Sequence, residues 1–330
     1  MHFDLTEDQK EIKRVARELL AERSPMARVR EAAEAGAYQP ALWEGMVSLG
    51  WPGIAVAEEH GGQGLGAVAL AVLAEELGYA CAATPFLSTA AAAAAIDACG
   101  SEEQRARWLP GLASGELTAG VGAAELAADA AGAAVVVLLD GDEARLLEAP
   151  ETEPVLTIDP TRRYATVAGG ASDTPLAPGA ADRVRAALAA EVVGLSQRAL
   201  DMTLAYVKDR KQFGVPVGSF QAVSHRCAQM LLHTESARST AYFAAWAADA
   251  DTERLAEAAA LAAAAAAEGG REVTASAIQA HGGIGFTWEA DVHWLYKRAQ
   301  LDTALLGGTR QHRQTLTRIV AARVAGAATR

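Results

Sequence analysis

Arg210-Lys211-Gln212-Phe213-Gly214, with Phe220-Gln221 a few residues on, places a permanent cation, side-chain amides and aromatic rings at a helix end and turn. That set suits a planar ligand carrying phosphate, because a guanidinium pairs with phosphate oxygens in a fixed fork. A second stretch, Gln279-Ala280-His281-Gly282-Gly283-Ile284-Gly285-Phe286, contains a glycine turn whose missing Cβ atoms let backbone N–H groups approach a phosphate. Either stretch by itself also reads as a plain connection between two helices. A third, Gly62-Gln63-Gly64-Leu65-Gly66-Ala67, matches the dinucleotide fingerprint GxGxxA behind the apolar triplet Ile54-Ala55-Val56. Glu58-Glu59-His60 separates triplet from glycines, and no later strand offers an acid for a ribose, so a helix–loop–helix connection is expected instead.

Other chemistries find no support. The seven histidines include no HxxxH or HExxH spacing, so no metal site is expected, and no GxSxG or P-loop spacing occurs. Cys81, Cys99 and Cys227 are odd in number and far apart, which suggests buried thiols in a reducing compartment rather than disulfides.

The elements that must position these residues are mostly helical. Thr6 with Gln9, and Ser101 with Gln104, are capping-box patterns ahead of apolar residues at helical spacing. Helices punctuated by Gly and Pro then form an N-terminal domain over residues 1–117. Between 118 and 175 the pattern changes. Ala134–Leu139, the turn dipeptide Asp140-Gly141, Arg145–Leu147, Val155–Ile158 and Tyr164–Val167 predict a small, shortened β domain. Over 176–330, Val192, Leu195, Ala199, Met202 and Tyr206 mark a helical stripe, and helical stretches at 219–249, 252–280 and 289–325 complete a four-helix bundle.

Charge and composition set the class of partner. Acidic residues outnumber basic ones 41 to 29, so phosphate-backbone binding lacks its electropositive footprint and nucleic acid is excluded. Asp4, Glu7 and Asp8 stand where an export signal needs positive charge, and apolar runs such as Ala67–Ala74 stop at Glu75-Glu76, far short of the ~20 residues of a membrane span. A cytoplasmic protein without a membrane segment is expected.

Taken together the motifs resemble the acyl-CoA dehydrogenase family over nearly the whole chain. The resemblance rests on Gly50-Trp51 through Glu58-Glu59-His60-Gly61-Gly62-Gln63-Gly64, Glu75-Glu76-Leu77-Gly78 and Gly100 through Pro110. It continues with Val193 to Asp201 leading into Arg210–Gly214, and with Gln279–Phe286, Trp288-Glu289 and Tyr296-Lys297-Arg298-Ala299. It implies a mainly α fold, with helical N-terminal domain, reduced middle β domain and C-terminal four-helix bundle. It also implies FAD, an acyl-CoA substrate desaturated between its α and β carbons, and an electron-acceptor flavoprotein. In the family one flavin spans two subunits, so the resemblance assigns Arg210, Gln212, Phe213, Phe220, Gln221, Gln279, Gly282 and Gly283 to the adenosine-diphosphate end of a flavin held mainly by a neighbour.

The chemistry needs a carboxylate base over the α carbon, since a thioester α proton is too weakly acidic to leave unaided. The family's base position before the terminal Gly falls here on Leu306, ahead of Gly307, and its alternative position on the helix entering Gly194-Leu195 falls on Val184. Both are apolar. The family's flavin-contacting stretch is reduced to Ala124-Glu125-Leu126-Ala127-Ala128-Asp129. Short, base-lacking chains that this one resembles occur in actinobacterial sets that degrade steroid side chains, as the smaller subunits of heteromeric acyl-CoA dehydrogenases. A base-bearing homologous chain in a heterotetramer is therefore the first expectation. The alternatives are a self-sufficient homo-oligomer with its base relocated to Glu191, Asp302 or Glu289, each of which reads more readily as a solvated or capping carboxylate, and a flavin monooxygenase of the same fold.

Overall fold

Thr6 and Ser101 open helices as their spacing predicts. In each, the hydroxyl accepts from the N3 amide while the Gln at N3 reaches back to the cap amide, so two otherwise unpaired donors are satisfied together. In the computed structural model, which describes residues 4–328, the N-terminal helices are α1 (Glu7–Arg23), α2 (Met26–Ala35), α3 (Pro40–Ser48), α4 (Gly66–Ala80), α5 (Phe86–Cys99) and α6 (Glu102–Ala113). The glycine-rich fingerprint at 62–67 follows two short 3-10 turns, not a strand, and runs into α4 as the expected helix–loop–helix.

A cap from another part of the chain starts α4. Asp249 accepts from Ala67 N at 2.7 Å and Val68 N at 3.0 Å, and Gly66, at φ +81°, leaves room where a Cβ would meet that carboxylate. Asp249→Ala is expected to cost about 1 kcal/mol and Asp249→Asn much less, checked by urea unfolding.

The sheet comprises β1 (Ala119–Ala123), β2 (Leu126–Ala128), β3 (Val135–Asp140), β4 (Glu143–Glu148), β5 (Glu151–Val155), β6 (Tyr164–Gly169) and β7 (Ser172–Pro175). Its order is β5-β6-β2-β1-β3-β4-β7, with β1 and β3 parallel and the other neighbours antiparallel. The expected hairpin forms with Asp140 opposite Glu143. The expected strand at Val155–Ile158 is displaced: the strand ends at Val155, and 156–163 is a loop that turns inward. β1, β2 and β7 were not signalled, because Ala/Gly and Ser/Asp sequences carry no β-branched run.

The C-terminal helices are α7 (Ala180–Asp209), α8 (Gln221–Ala250), α9 (Leu255–His281), α10 (Val292–Leu305) and α11 (Thr309–Ala328), with a two-strand ribbon, β8 (Lys211–Gln212) and β9 (Val215–Pro216), between α7 and α8. The single stretch expected over 289–325 is two helices. Gly307 and Gly308, at φ +87° and +76°, stop α10 in a left-handed turn that leucine periodicity does not disclose.

Small residues let these helices approach closely. A Cβ on Gly194 would strike the Glu75 carbonyl and one on Gly78 the Glu191 carbonyl, so α4 and α7 meet backbone to backbone. This crossing fixes the part of α7 that carries Glu191. Glu75 and Glu76, expected only to interrupt an apolar run, are buried and pair with Lys13, Arg17 and Arg238. All three cysteines are free and buried. No helix among the described residues is long and apolar enough to cross a membrane.

Candidate functional site

Arg298 and Asp302 lie four residues apart on α10, hence on one face, and that face looks at the middle of α7 and the inward loop after β5. The loop delivers Asp159, Thr161 and Arg162, and α7 delivers Glu191. Arg298 Nε donates to Asp159 Oδ2 at 2.8 Å and its NH1 to Glu191 Oε1 at 3.0 Å. Arg162 NH2 reaches both Glu191 oxygens at 2.7 Å while its NH1 reaches Asp302 Oδ1 at 2.9 Å. Thr161 and Tyr164 hydroxyls complete the shell of Asp159. Every one of these side chains is buried, and Arg298 is among the largest fully enclosed in the protein.

Burial penalises each charge here, so the charges must balance. Arg298 and Arg162 lose solvation, yet Asp159 and Glu191 keep both protonated. Burial, reinforced by the negative charge of Glu191, pushes the Asp302 carboxyl well above the usual range, while Arg162 opposes that rise. Two guanidinium groups thus face three carboxyl groups. Glu191 and Asp302 are thus neither solvated nor capping, contrary to expectation; Glu289 is exposed. Sequence reading missed Arg162 and Asp159 altogether, and Arg298 entered only as part of a motif. No local signal marks them, since their acids lie more than 100 residues away from Arg298 or Arg162 in three of four pairs.

The network occupies the interior between sheet and bundle. Beside it, β1 and β2 join through the two-residue turn Ala124-Glu125, since Ala123 pairs with Leu126. That hairpin rests on α10: a Cβ on Gly122 would lie 3.1 Å from Leu305 Cδ2. Asp129, at the end of the stretch, is buried and accepts from Tyr38 and Ser88. The hairpin thus lies directly against the bundle, with buried side chains on both sides of it. Val184 and Leu306 belong to one buried apolar cluster, with no exposed edge.

The phosphate-binding candidates lie elsewhere, at one end of the bundle. Tyr206 near the end of α7 stacks on His281 at the end of α9, with ring centroids 4.4 Å apart, and so brings the two segments together. Arg210 caps α7, exposed and without a carboxylate in ion-pair range among the described residues. The ribbon turns at Phe213-Gly214, both left-handed at φ +52° and +82°, which matches its right-handed twist. Phe213 is 94% exposed and meets Phe220 edge-on. Gln212, Gln221, Gln279, Gly282 and Gly283 are likewise exposed. Gly282 needs its glycine, at φ +64°, but Gly283 does not: its φ is ordinary and open space surrounds the position a Cβ would take. Nothing in its own chain excludes a side chain there, which leaves a cradle open to a ligand from outside. The adenosine-diphosphate half of a dinucleotide fits this end.

Comparison with known proteins bears on the whole chain. Residues 6–116 match the model of the acyl-CoA dehydrogenase N-terminal domain, and residues 175–324 that of the acyl-CoA dehydrogenase C-terminal domain. The chain is 36% identical to acyl-CoA dehydrogenase IpdE2 of Mycolicibacterium smegmatis, over 84% of this chain and 88% of that one. It is 35% identical to IpdE2 of Mycobacterium tuberculosis, over 92% and 95%. Among solved structures, a variant of the Tcur3481-Tcur3483 steroid ACAD superposes with a TM-score of 0.87 at 29% identity, covering 97% of this chain and 99% of that one.

Proposed function

The chain belongs to the acyl-CoA dehydrogenase family, oxidoreductases acting on the CH–CH bond of acyl-CoA, and from that premise we propose that it is the base-lacking subunit of a heteromeric member. Its partner is a homologous chain that mounts FAD and carries the carboxylate base. The observation that carries the reading is the buried Arg162–Glu191–Arg298–Asp159 network with Asp302. It packs the interior between sheet and bundle with paired charges, while the residues that the family resemblance assigns to a neighbour's flavin stand exposed.

FAD, mounted in the partner, supplies the acceptor for hydride from the β carbon of the thioester. This chain supports it from the bundle end. The Arg210 guanidinium neutralises the pyrophosphate, the Gln212 and Gln279 amides hydrogen-bond the same half, and the Gly282-Gly283 backbone lets it come close. Phe213 and Phe220, with Gln221 beside them, exclude water from the seam. The substrate class is a CoA thioester of a steroid-derived acid, supported by the printed description of the solved relative, whose name also pairs two proteins. An electron-acceptor flavoprotein then reoxidises the partner.

A relocated base is not favoured. Both Glu191 oxygens are held by guanidinium groups, and Asp302 Oδ1 is engaged by Arg162 in the same closed network. A monooxygenase of the same fold finds less support, since the relatives matched over most of the chain are acyl-CoA dehydrogenases.

Co-expression with a base-bearing homologue tests the proposal. The pair is expected to co-purify yellow and to reduce a dye with acyl-CoA, and the chain alone to be colourless and inert. Stoichiometric FAD on the lone chain, with acyl-CoA turnover, would overturn it.

A further inference from the structure

The corner where α1 turns into α2 covers a cavity of about 300 Å³ against α4 and α7, and its wall includes Ser24, Pro25, Met26, Tyr79, Arg198 and Met202. No residue that lines it belongs to the buried network or to the seam around Arg210 and Gln279. Part of this wall has no counterpart in the chain. Pro25 stands at the N-cap of α2 and no side chain caps that helix, so its first amides carry the partial positive charge of the helix end without a side-chain acceptor. Ser24, one residue earlier, is 3% exposed, and its Oγ is shielded from solvent with no hydrogen-bond partner. Arg198, from α7, has no carboxylate in ion-pair range among the described residues, and its Nε is likewise buried and unpartnered. Its guanidinium lies 5.1 Å from the ring centre of Tyr79 and donates to the phenol oxygen at 3.4 Å. Asp201, one turn along α7, accepts from Tyr79 and Gln197 instead, each at 2.9 Å.

The acids in the wall are already neutralised: Glu76 pairs with Arg17 and Lys13, and Asp291 with Arg30 at 2.6 Å. What stays unmatched is a set of donors, namely helix amides, a hydroxyl and a guanidinium, and buried donors cost free energy until an acceptor meets them. We propose that this cavity binds a small oxyanion, the phosphate or carboxylate group of a metabolite, at the α2 amides, the Ser24 hydroxyl and Arg198. A helix N-terminus and a guanidinium recognise either group by the same chemistry. The volume, at the lower end of small-molecule sites, restricts the ligand to its head group and a few carbons, which Met26 and Met202 would cover.

Calorimetric titration and thermal unfolding of the full-length chain test it, with inorganic phosphate, with succinate, and with chloride at matched ionic strength. Saturable binding of phosphate or succinate is expected, with a rise in melting temperature that chloride does not reproduce. The tighter of the two identifies the head group. Without either anion, Ser24→Ala should melt no lower than the parent, because the hydroxyl it removes bonds to nothing in the chain. The same variant should weaken the anion about fivefold, and Arg198→Gln roughly tenfold. Ser24→Ala keeps the test decisive even where loss of Arg198 from its place on Tyr79 disturbs folding. No saturable binding of either anion beyond chloride, or binding that Ser24→Ala leaves unchanged, overturns the inference. So does a Ser24→Ala variant that melts several degrees lower without anion, since its hydroxyl would then serve the fold alone.

Discussion

Arg298→Met is expected to destabilise the chain by about 3–5 kcal/mol, the cost of stripping one partner from a buried ion pair. Methionine preserves much of the volume and none of the charge. Asp159 would keep only the Thr161 amide and the Thr161 and Tyr164 hydroxyls, and Glu191 only Arg162, so one carboxylate would be left buried without a cation. Asp302→Asn is the informative contrast. Because burial favours the neutral form of Asp302, its amide replacement keeps an acceptor for Arg162 NH1 and is expected to cost little. The sign follows from a folded-state pKa above the free value. The stabilising share of Asp302 is complete below the free carboxyl range, about pH 4, and is lost as pH rises toward the raised value. Asp302→Asn should therefore flatten the alkaline side of the stability profile and match or exceed the parent there. Urea unfolding followed by circular dichroism across pH checks both variants. A Met variant within about 1 kcal/mol of the parent would mean that the network does not hold sheet to bundle.

The network also explains which parts of the molecule a linear reading reaches. Thr6 and Ser101 declare their helices because a capping box lies within four residues, and Arg210 and Gln279 stand out as candidates because each motif is contiguous. Asp159, Arg162, Glu191 and Arg298 come together only through folding, from a loop and two helices. Their types misled: an acid inside a helix is usually solvated, so Glu191 and Asp302 were read that way. Ala119–Ala123 and Leu126–Ala128 pair as strands only because neighbours in the sheet override a composition that favours helix. Gly307-Gly308 breaks a helix that the leucines around it would continue.

Arg210→Ala in the heteromer is expected to cut flavin affinity by roughly 10–100-fold, since hydrogen bonds to charged groups contribute about 1.5–3 kcal/mol. The same substitution should leave the stability of the lone chain within about 0.5 kcal/mol, because Arg210 is exposed and pairs with no carboxylate among the described residues. These two results separate a ligand-facing arginine from a structural one, which would lower both together. Arg210→Lys should restore only part of the affinity, as an ammonium cannot offer the planar fork. Phe213→Ala, removing a ring that is 94% exposed and touches its own chain mainly at Phe220, should have a smaller effect in the same direction. Flavin absorbance of the gel-filtered complex, then activity with FAD added back, reads the effect: activity lost on dilution and recovered at saturating FAD places Arg210 in cofactor retention. Undiminished flavin in the Ala variant would remove this chain from the cofactor seam and leave its exposed arginine and phenylalanine without the role assigned to them.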